Sequence, residues 1–306
     1  MSAPISRRHF GKLLAAGCAA PFIPTARAEA AFKLRYTLAS SMYGTLPLAE
    51  ILPEVARSGA GGIDLWPKPH GSQREEVTAM GVEKFAEFIR AQSVKVDVLT
   101  RYDLGPLRLT GEISVAQSLG ASTIVCGGSG PVGLTGDPLK QAVKEFAEKM
   151  KPTLALAEEK GVKIAIENHV RNLIDSPDSL RWLAESVSSP NLGIAFAPYH
   201  LEQDAQILGK LVGELGNRVL LFYAWEHGKG STKKLPKEEE LMQLPGRGPL
   251  DFVPMLRALQ KMNFAGLTEI FMHPVPRGVP ILDTAAEVTA EINRRREYLG
   301  GLLAKL

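Results

Sequence analysis

The chain has 306 residues, 45% of them hydrophobic and 23% charged, with a formal net charge of +3 and two cysteines. Four basic residues, Arg7, Arg8, Lys12 and Arg27, fall in the first 28 positions, which hold no acid, so the remainder carries one more acid than base. That balance excludes a nucleic-acid footprint or a surface made for anionic membranes. The single cysteine left, Cys126, excludes an internal disulfide.

The opening residues read as an address. Ser6-Arg7-Arg8-His9-Phe10-Gly11-Lys12 is a twin-arginine pattern, Leu13–Ala20 a short apolar core, and Ala26-Arg27-Ala28 a small-x-small cleavage site. The apolar run is too short and too rich in glycine and alanine to hold in a bilayer, so no stable anchor is expected. The expectation is a signal peptide over 1–28, carried by the twin-arginine export machinery, and a periplasmic or extracellular mature chain over 29–306. Its length suits one large α/β domain.

After Glu29, strand and helix patterns alternate. Strands are expected at Leu34–Ser40, Gly62–Trp66, Val94–Thr100, Ser122–Cys126, Val162–Ile166, Leu192–Phe196, Val219–Ala224 and Gly266–Phe271. Helices are expected at Leu46–Ser58, Val82–Gln92, Leu109–Leu119, Pro138–Lys160, from Ser176 onward, and at Leu201–Leu215, Asp251–Met262 and Thr284–Leu303. Ser176-Pro177 is an N-cap serine followed by proline at the first helical position. Gly127–Gly136 is a glycine-rich loop, in which Gly127-Gly128-Ser129-Gly130 reads either as an anion nest or as a tight turn. Glu226–Pro249 reads as a long polar loop, with Lys233-Lys234 and Glu238-Glu239-Glu240 in solvent. Eight strand–helix units predict a single-domain (β/α)8 TIM barrel. The rival, a doubly wound open sheet, wants a glycine fingerprint after its first strand, and Ser41-Met42-Tyr43-Gly44-Thr45 has none.

Chemistry gathers at strand ends. Val162–Ile166 is a buried-strand sequence that runs straight into Glu167-Asn168-His169. Gly266–His273 repeats the design, with Glu269 inside the strand and His273 after it. Buried charge and amide need partners, and the C-terminal ends of barrel strands are where catalysis is placed. The histidines beyond the leader are His70, His169, His200, His227 and His273. Each falls just after an expected strand and none in a helix. Singly, each reads as a loop histidine satisfied by a carbonyl; together they describe a polar rim at one barrel mouth.

Glu167 after the fifth strand, Gly193–His200 around the sixth and Glu269 on the eighth resemble the xylose-isomerase-like barrels, which include sugar isomerases and epimerases. The resemblance implies a divalent metal (Mn, Mg, Co or Zn) held by a Glu after strand five, an Asp after strand six, a His on strand seven and a Glu on strand eight. It also implies a substrate-contacting histidine three residues beyond the strand-six Asp. Glu167, Glu269 and His200 fill three of these roles and are the candidate catalytic and metal residues. The strand-six acid would fall at Ala197 and the strand-seven histidine near Tyr223. Either His169, His200 or His227 is recruited, giving a nitrogen–oxygen site, or the metal is gone.

Such residues suit proton movement beside a carbonyl of a sugar or keto-sugar, with one carboxylate as base and its like-charged neighbour as acid. Without a metal, His200, His169 or Lys68 would stabilise the oxyanion. The alternatives are keto-sugar lyase or hydratase chemistry, and a metal-free, non-catalytic sugar-binding relative. A structural reading of Glu167 and Glu269 pairs them with Arg101, Arg247 or Arg277. His169 and His227 are candidate substrate contacts. Trp66, Tyr199 and Trp225, with Tyr43, are candidate stacking faces for a sugar ring, and Arg247 a clamp for its polar groups. Trp182 reads as core packing.

Overall fold

The computed structural model describes Met1 and residues 32–306. The leader motifs expected between Ser6 and Ala28 lie outside the described residues.

Eight parallel strands close on themselves in sequence order. They are β1 (Tyr36–Ala39), β2 (Ile63–Leu65), β3 (Val96–Thr100), β4 (Thr123–Gly127), β5 (Lys163–Glu167), β6 (Leu192–Phe196), β7 (Val219–Ala224) and β8 (Leu267–Ile270). The ring shuts where β1 pairs with β8, with Thr37 opposite Glu269. The connecting helices are α1 (Leu48–Arg57), α2 (Gln73–Met80), α3 (Val82–Ala91), α4 (Thr110–Leu119), α5 (Gly136–Lys160), α6 (Pro177–Ser186), α7 (Ala205–Leu215), α8 (Lys237–Glu240), α9 (Val253–Lys261) and α10 (Ala285–Leu303). This is the expected single (β/α)8 barrel. No helix among the described residues is long and apolar enough to cross a membrane.

The strands are buried almost throughout because helices cover the sheet's outer face and side chains fill the inner one. Ser176 caps α6 as expected, with Pro177 at the first position and Ser179 returning the bond. Thr284 and Glu287 form a second capping box on α10. Gly209 lets α7 lie close to α9: a Cβ there would sit 2.6 Å from the Pro254 side chain.

Three local expectations are corrected. Helix α2 has no counterpart among the expected elements. Its buried side chains include Gln73 and Arg74, which reach the 44–46 turn and Glu112. A helix anchored by polar bonds lacks the apolar period that announces one. The helix after β6 begins at Ala205 rather than Leu201, because Asp204 caps it by accepting from Gln206 and Ile207. The 226–249 loop is not wholly solvated: Glu240 and Gln243 are buried, the latter fully.

Candidate functional site

Three carboxylates lie at the C-terminal ends of strands, at different depths. Glu167 closes β5 and lines a cavity of about 450 Å³. Asp64 on β2 and Glu269 on β8 are fully buried and do not line it. Burial pushes Asp64 up from 3.8 to about 7, against the Thr100 hydroxyl, which donates to it at 2.6 Å. Burial, then the charges of Asp64 and Glu167, hold Glu269 far above the carboxylate range, and neither of its oxygens has a protein partner. Trp66 lies close to both and lowers their proton affinity slightly, while its indole N–H closes no hydrogen bond. Burial also raises Glu167 from 4.5 to about 7, while His169 and the nearby Tyr102 hydroxyl pull it back. The three acids are therefore largely protonated below neutrality, by desolvation in each case and by repulsion from its neighbours as well at Glu269.

Above them stand four histidines in two close pairs. The His169 and His200 rings are 4.0 Å apart, and the His70 and His273 rings 4.4 Å. All four line the cavity, with Trp66, Tyr102, Tyr199, Ser231 and Arg277. Desolvation keeps them neutral: His200 falls to about 3 and His70 to about 4, with His169 lowered and His273 well below its usual range. His169 Nδ1 lies 2.7 Å from the Val170 carbonyl, which can only accept, so Nε2 carries the free lone pair. His200 Nε2 approaches Glu167 Oε1 to 3.5 Å without hydrogen-bonding geometry. Both ring nitrogens of His200, His70 Nδ1, Trp66 Nε1 and the Tyr102 hydroxyl are buried without a protein partner. Orphaned polar atoms around a cavity ask for a polar ligand.

The expected site residues divide. Glu167, His200, His169, Trp66 and Tyr199 meet at the cavity. Glu269 lies beneath it. Trp225 is buried behind Tyr199, stacked at 3.9 Å and held by Gln243 through its indole N–H, so it backs the stacking face rather than forming it. His227 is exposed on the rim, its ring packed against Tyr199 but outside the cavity lining. Lys68 is exposed on the loop after β2 and does not reach the cavity. Arg247 is committed elsewhere, to Glu291 at 2.9 and 3.0 Å and Glu238 at 2.9 Å. Tyr43 is core, bonded to Thr289. Trp182 is only part-buried, with Lys140 over its ring. The arginine-pairing alternative also fails: among the described residues neither Glu167 nor Glu269 pairs with Arg101, Arg247 or Arg277. The glycine-rich loop is shaped by packing, since a Cβ on Gly128 or Gly130 would strike Ile174 or Leu173 at 2.8 Å.

The family's metal position is not furnished here. Asn168 clamps the backbone of Ala197 in both directions, donating to its carbonyl at 2.8 Å and accepting from its N–H at 2.9 Å. Ala197 itself offers no donor atom, and the Tyr223 phenol is held far from ionisation by burial and by Glu167, Glu269 and Asp64. Glu269 favours its proton. Among the described residues no three His, Cys, Asp or Glu side chains converge as a ligand set. Hard divalent ions want several ionised oxygens, and this donor set does not fit one.

Five groups at the site had no role assigned from sequence. Asp64 looked like one polar residue in a short strand. His70 and His273 were visible as rim histidines, but their pairing depends on β2 and β8 flanking β1 in the closed ring. Tyr102 follows β3 on a loop with no distinguishing pattern. Gln243, deeper in, accepts from Trp225 and from the His273 N–H and donates to the His273 carbonyl, fixing two site elements at once.

Solved structures with this fold include the IolI protein with a bound zinc atom (TM-score 0.66, 15% identity, 87% of this chain and 98% of that one). They also include D-psicose 3-epimerase with D-tagatose from Clostridium cellulolyticum H10 (0.64, 14%, 88% and 99%). A third is the probable 3-DHS dehydratase AsbF, involved in petrobactin synthesis, from Bacillus anthracis (0.63, 13%, 85% and 97%). At these identities the likeness is one of fold. No curated protein matches the chain. Residues 52–292 match the xylose isomerase-like TIM barrel family, and the chain belongs to that family.

Proposed function

We propose that the protein is a sugar isomerase of the isomerase/epimerase type, moving a proton between carbons next to a carbonyl with protein groups alone. The observation that carries this is Glu167: the one carboxylate lining the cavity, raised to about 7, beside neutral imidazoles whose nitrogens lack partners. A base with that proton affinity takes a proton at neutral pH and gives it back. In the forward step Glu167 removes the proton from carbon, and the electron pair moves onto the carbonyl oxygen. His200, neutral and 3.5 Å from Glu167, donates an N–H to that oxygen. Glu167 then returns its proton to the former carbonyl carbon, while the hydroxyl proton of the first carbon passes through His200 to the former carbonyl oxygen, so that the new carbonyl forms on the carbon that lost its proton. Trp66 and Tyr199 offer faces to the ring.

Because Glu269 lies below the cavity, one base serves one face of the substrate. That favours same-face isomerisation over two-base epimerisation. It also disfavours a metal-routed mechanism, for the donor-set reasons above. The second reading, a sugar-binding relative without turnover, draws support from Ala197 and Tyr223 at the family's ligand positions.

Exchange separates the two. Wild type in D2O should replace the substrate's α-proton with deuterium, and Glu167→Gln should abolish replacement while leaving binding measurable. Saturable binding with no exchange in wild type would select the non-catalytic reading. The proposal extends to location: residues 6–28 support twin-arginine export to the periplasm or beyond. Arg7→Lys with Arg8→Lys should then strand the precursor in the cytoplasm. Unreduced export of that variant would refute the route.

A further inference from the structure

The cavity holds a cation with no acid to answer it. Arg277 lines the wall, half-buried, with Nη1 donating to the Pro274 carbonyl at 2.6 Å and Nη2 to the Ser231 carbonyl and hydroxyl at 3.1 and 3.0 Å. Among the described residues Arg277 meets no carboxylate within 4.0 Å; Arg218 and Arg296 are likewise held by backbone carbonyls, but neither lines the cavity as Arg277 does. The acid that acts on it from further off, Glu240, is already bonded to Lys237 at 2.9 Å. An arginine has five N–H donors. The three bonds here leave Nε–H and one Nη1–H uncommitted.

The remaining charge in the cavity points the same way. Among the described residues its only carboxylate, Glu167, forms no ion pair with an arginine of the lining. Arg171 stands exposed at the lining. Fixed positive charge therefore exceeds negative charge, in a partly desolvated space where an unpaired cation is costly. A neutral sugar would leave that cost in place. We propose that the substrate is an acidic sugar, a polyhydroxylated carbonyl compound bearing a carboxylate, whose carboxylate pairs with Arg277. A carboxylate suits the two N–H groups left over. A phosphate dianion usually draws on more donors, such as a backbone nest.

This inference rests on the sugar-isomerase reading, yet its test needs only binding. The full chain is titrated calorimetrically with three matched ligands: a neutral hexose, the corresponding hexuronate and the hexose phosphate. Wild type should prefer the hexuronate over the hexose by roughly 30-fold or more, as expected for a partly buried charge pair, and over the phosphate as well. Arg277→Gln should bind hexuronate and hexose alike, and Arg277→Lys should regain part of the preference. Arg277 also ties the Ser231 loop to Pro274. A purely structural role would weaken both ligands equally in Arg277→Gln, and that result overturns the proposal. So does equal binding of hexose and hexuronate by wild type, which stands whether or not the variant folds. Preference for the phosphate overturns the carboxylate assignment. Hexuronate preference without deuterium exchange would refute the isomerase reading alone, whereas exchange confined to neutral sugars would refute this one alone.

Discussion

Asp64→Asn should stabilise the protein, and only where Asp64 would otherwise be ionised. In the fold its carboxyl is buried and holds a proton up to about 7, against 3.8 in the exposed chain. Below 3.8 both states hold the proton and burial costs nothing through ionisation. Between 3.8 and about 7 the unfolded chain has lost the proton and the folded one keeps it, so stability falls as pH rises. Above about 7 the loss levels off. At ~1.4 kcal/mol per tenfold change in proton affinity, the full difference is ~4 kcal/mol, and sharing among three neighbouring acids brings it to roughly 2–4 kcal/mol. Asparagine keeps the shape and an oxygen to accept from Thr100 while removing the charge. Urea unfolding at pH 8 should show the variant more stable by that amount, with Tm higher by about 5–10 °C, and at pH 4 the gain should shrink below ~1 kcal/mol. Equal gains at both pH values would trace the effect to packing. A loss at pH 8 would mean that ionised Asp64 is held by partners, and the reasoning from desolvation would be wrong.

The rate of α-proton exchange should rise through pH about 7 as a single ionisation, because Glu167 must lose its proton to act, and should show no second limb from His200 down to pH 4; exchange that is flat from pH 5 to 9 counts against Glu167 as base. Gln243→Ala should cost roughly 3–5 kcal/mol in chemical unfolding, since it leaves the Trp225 indole and both backbone groups of His273 buried and unpaired; a cost under ~1 kcal/mol would show that these groups find other partners. Ala197→Asp should lower Tm in chelator, through one more acid in a poorly solvated cluster, and recover with Mn²⁺ in the variant alone. Equal Mn²⁺ shifts in wild type and variant would show that residue 197 does not face a metal position.

The barrel was legible because buried parallel strands announce themselves as short apolar runs, and glycine and serine punctuation marks where helices stop and start. Strands β6 and β7 fall on the expected residues. The site was half legible. Glu167, His169 and His200 were visible as polar residues at the tip of apolar strands, where they have no structural excuse. What stayed hidden was carried by long-range polar bonds. Helix α2 is anchored through Gln73 to the 44–46 turn and through Arg74 to Glu112 of α4, and Gln243 sits in a stretch dominated by charge. Neither leaves a period in the sequence. The depth of Glu269 was hidden for another reason: a strand position says which end of the barrel a side chain occupies, but not whether Trp66 covers it.

That depth decides how the charge is managed. A barrel built around a divalent ion keeps several carboxylates ionised at its mouth, and the ion neutralises them. Here the acid expected after β6 is Ala197, the β7 position is an un-ionised phenol, and Glu269 sits beneath Trp66 with no partner for either oxygen. Protons do the neutralising, and the raised proton affinities of Asp64, Glu167 and Glu269 follow from that arrangement. Only Glu167 reaches the cavity, so only its proton is available to a substrate. The other two hold theirs by burial, Asp64 up to about 7 and Glu269 far above the usual carboxylate range. Burial, eased by His169 and Tyr102, sets the working pH of the one acid inside the cavity. Recognition is left to neutral imidazoles, aromatic faces and the unanswered charge of Arg277.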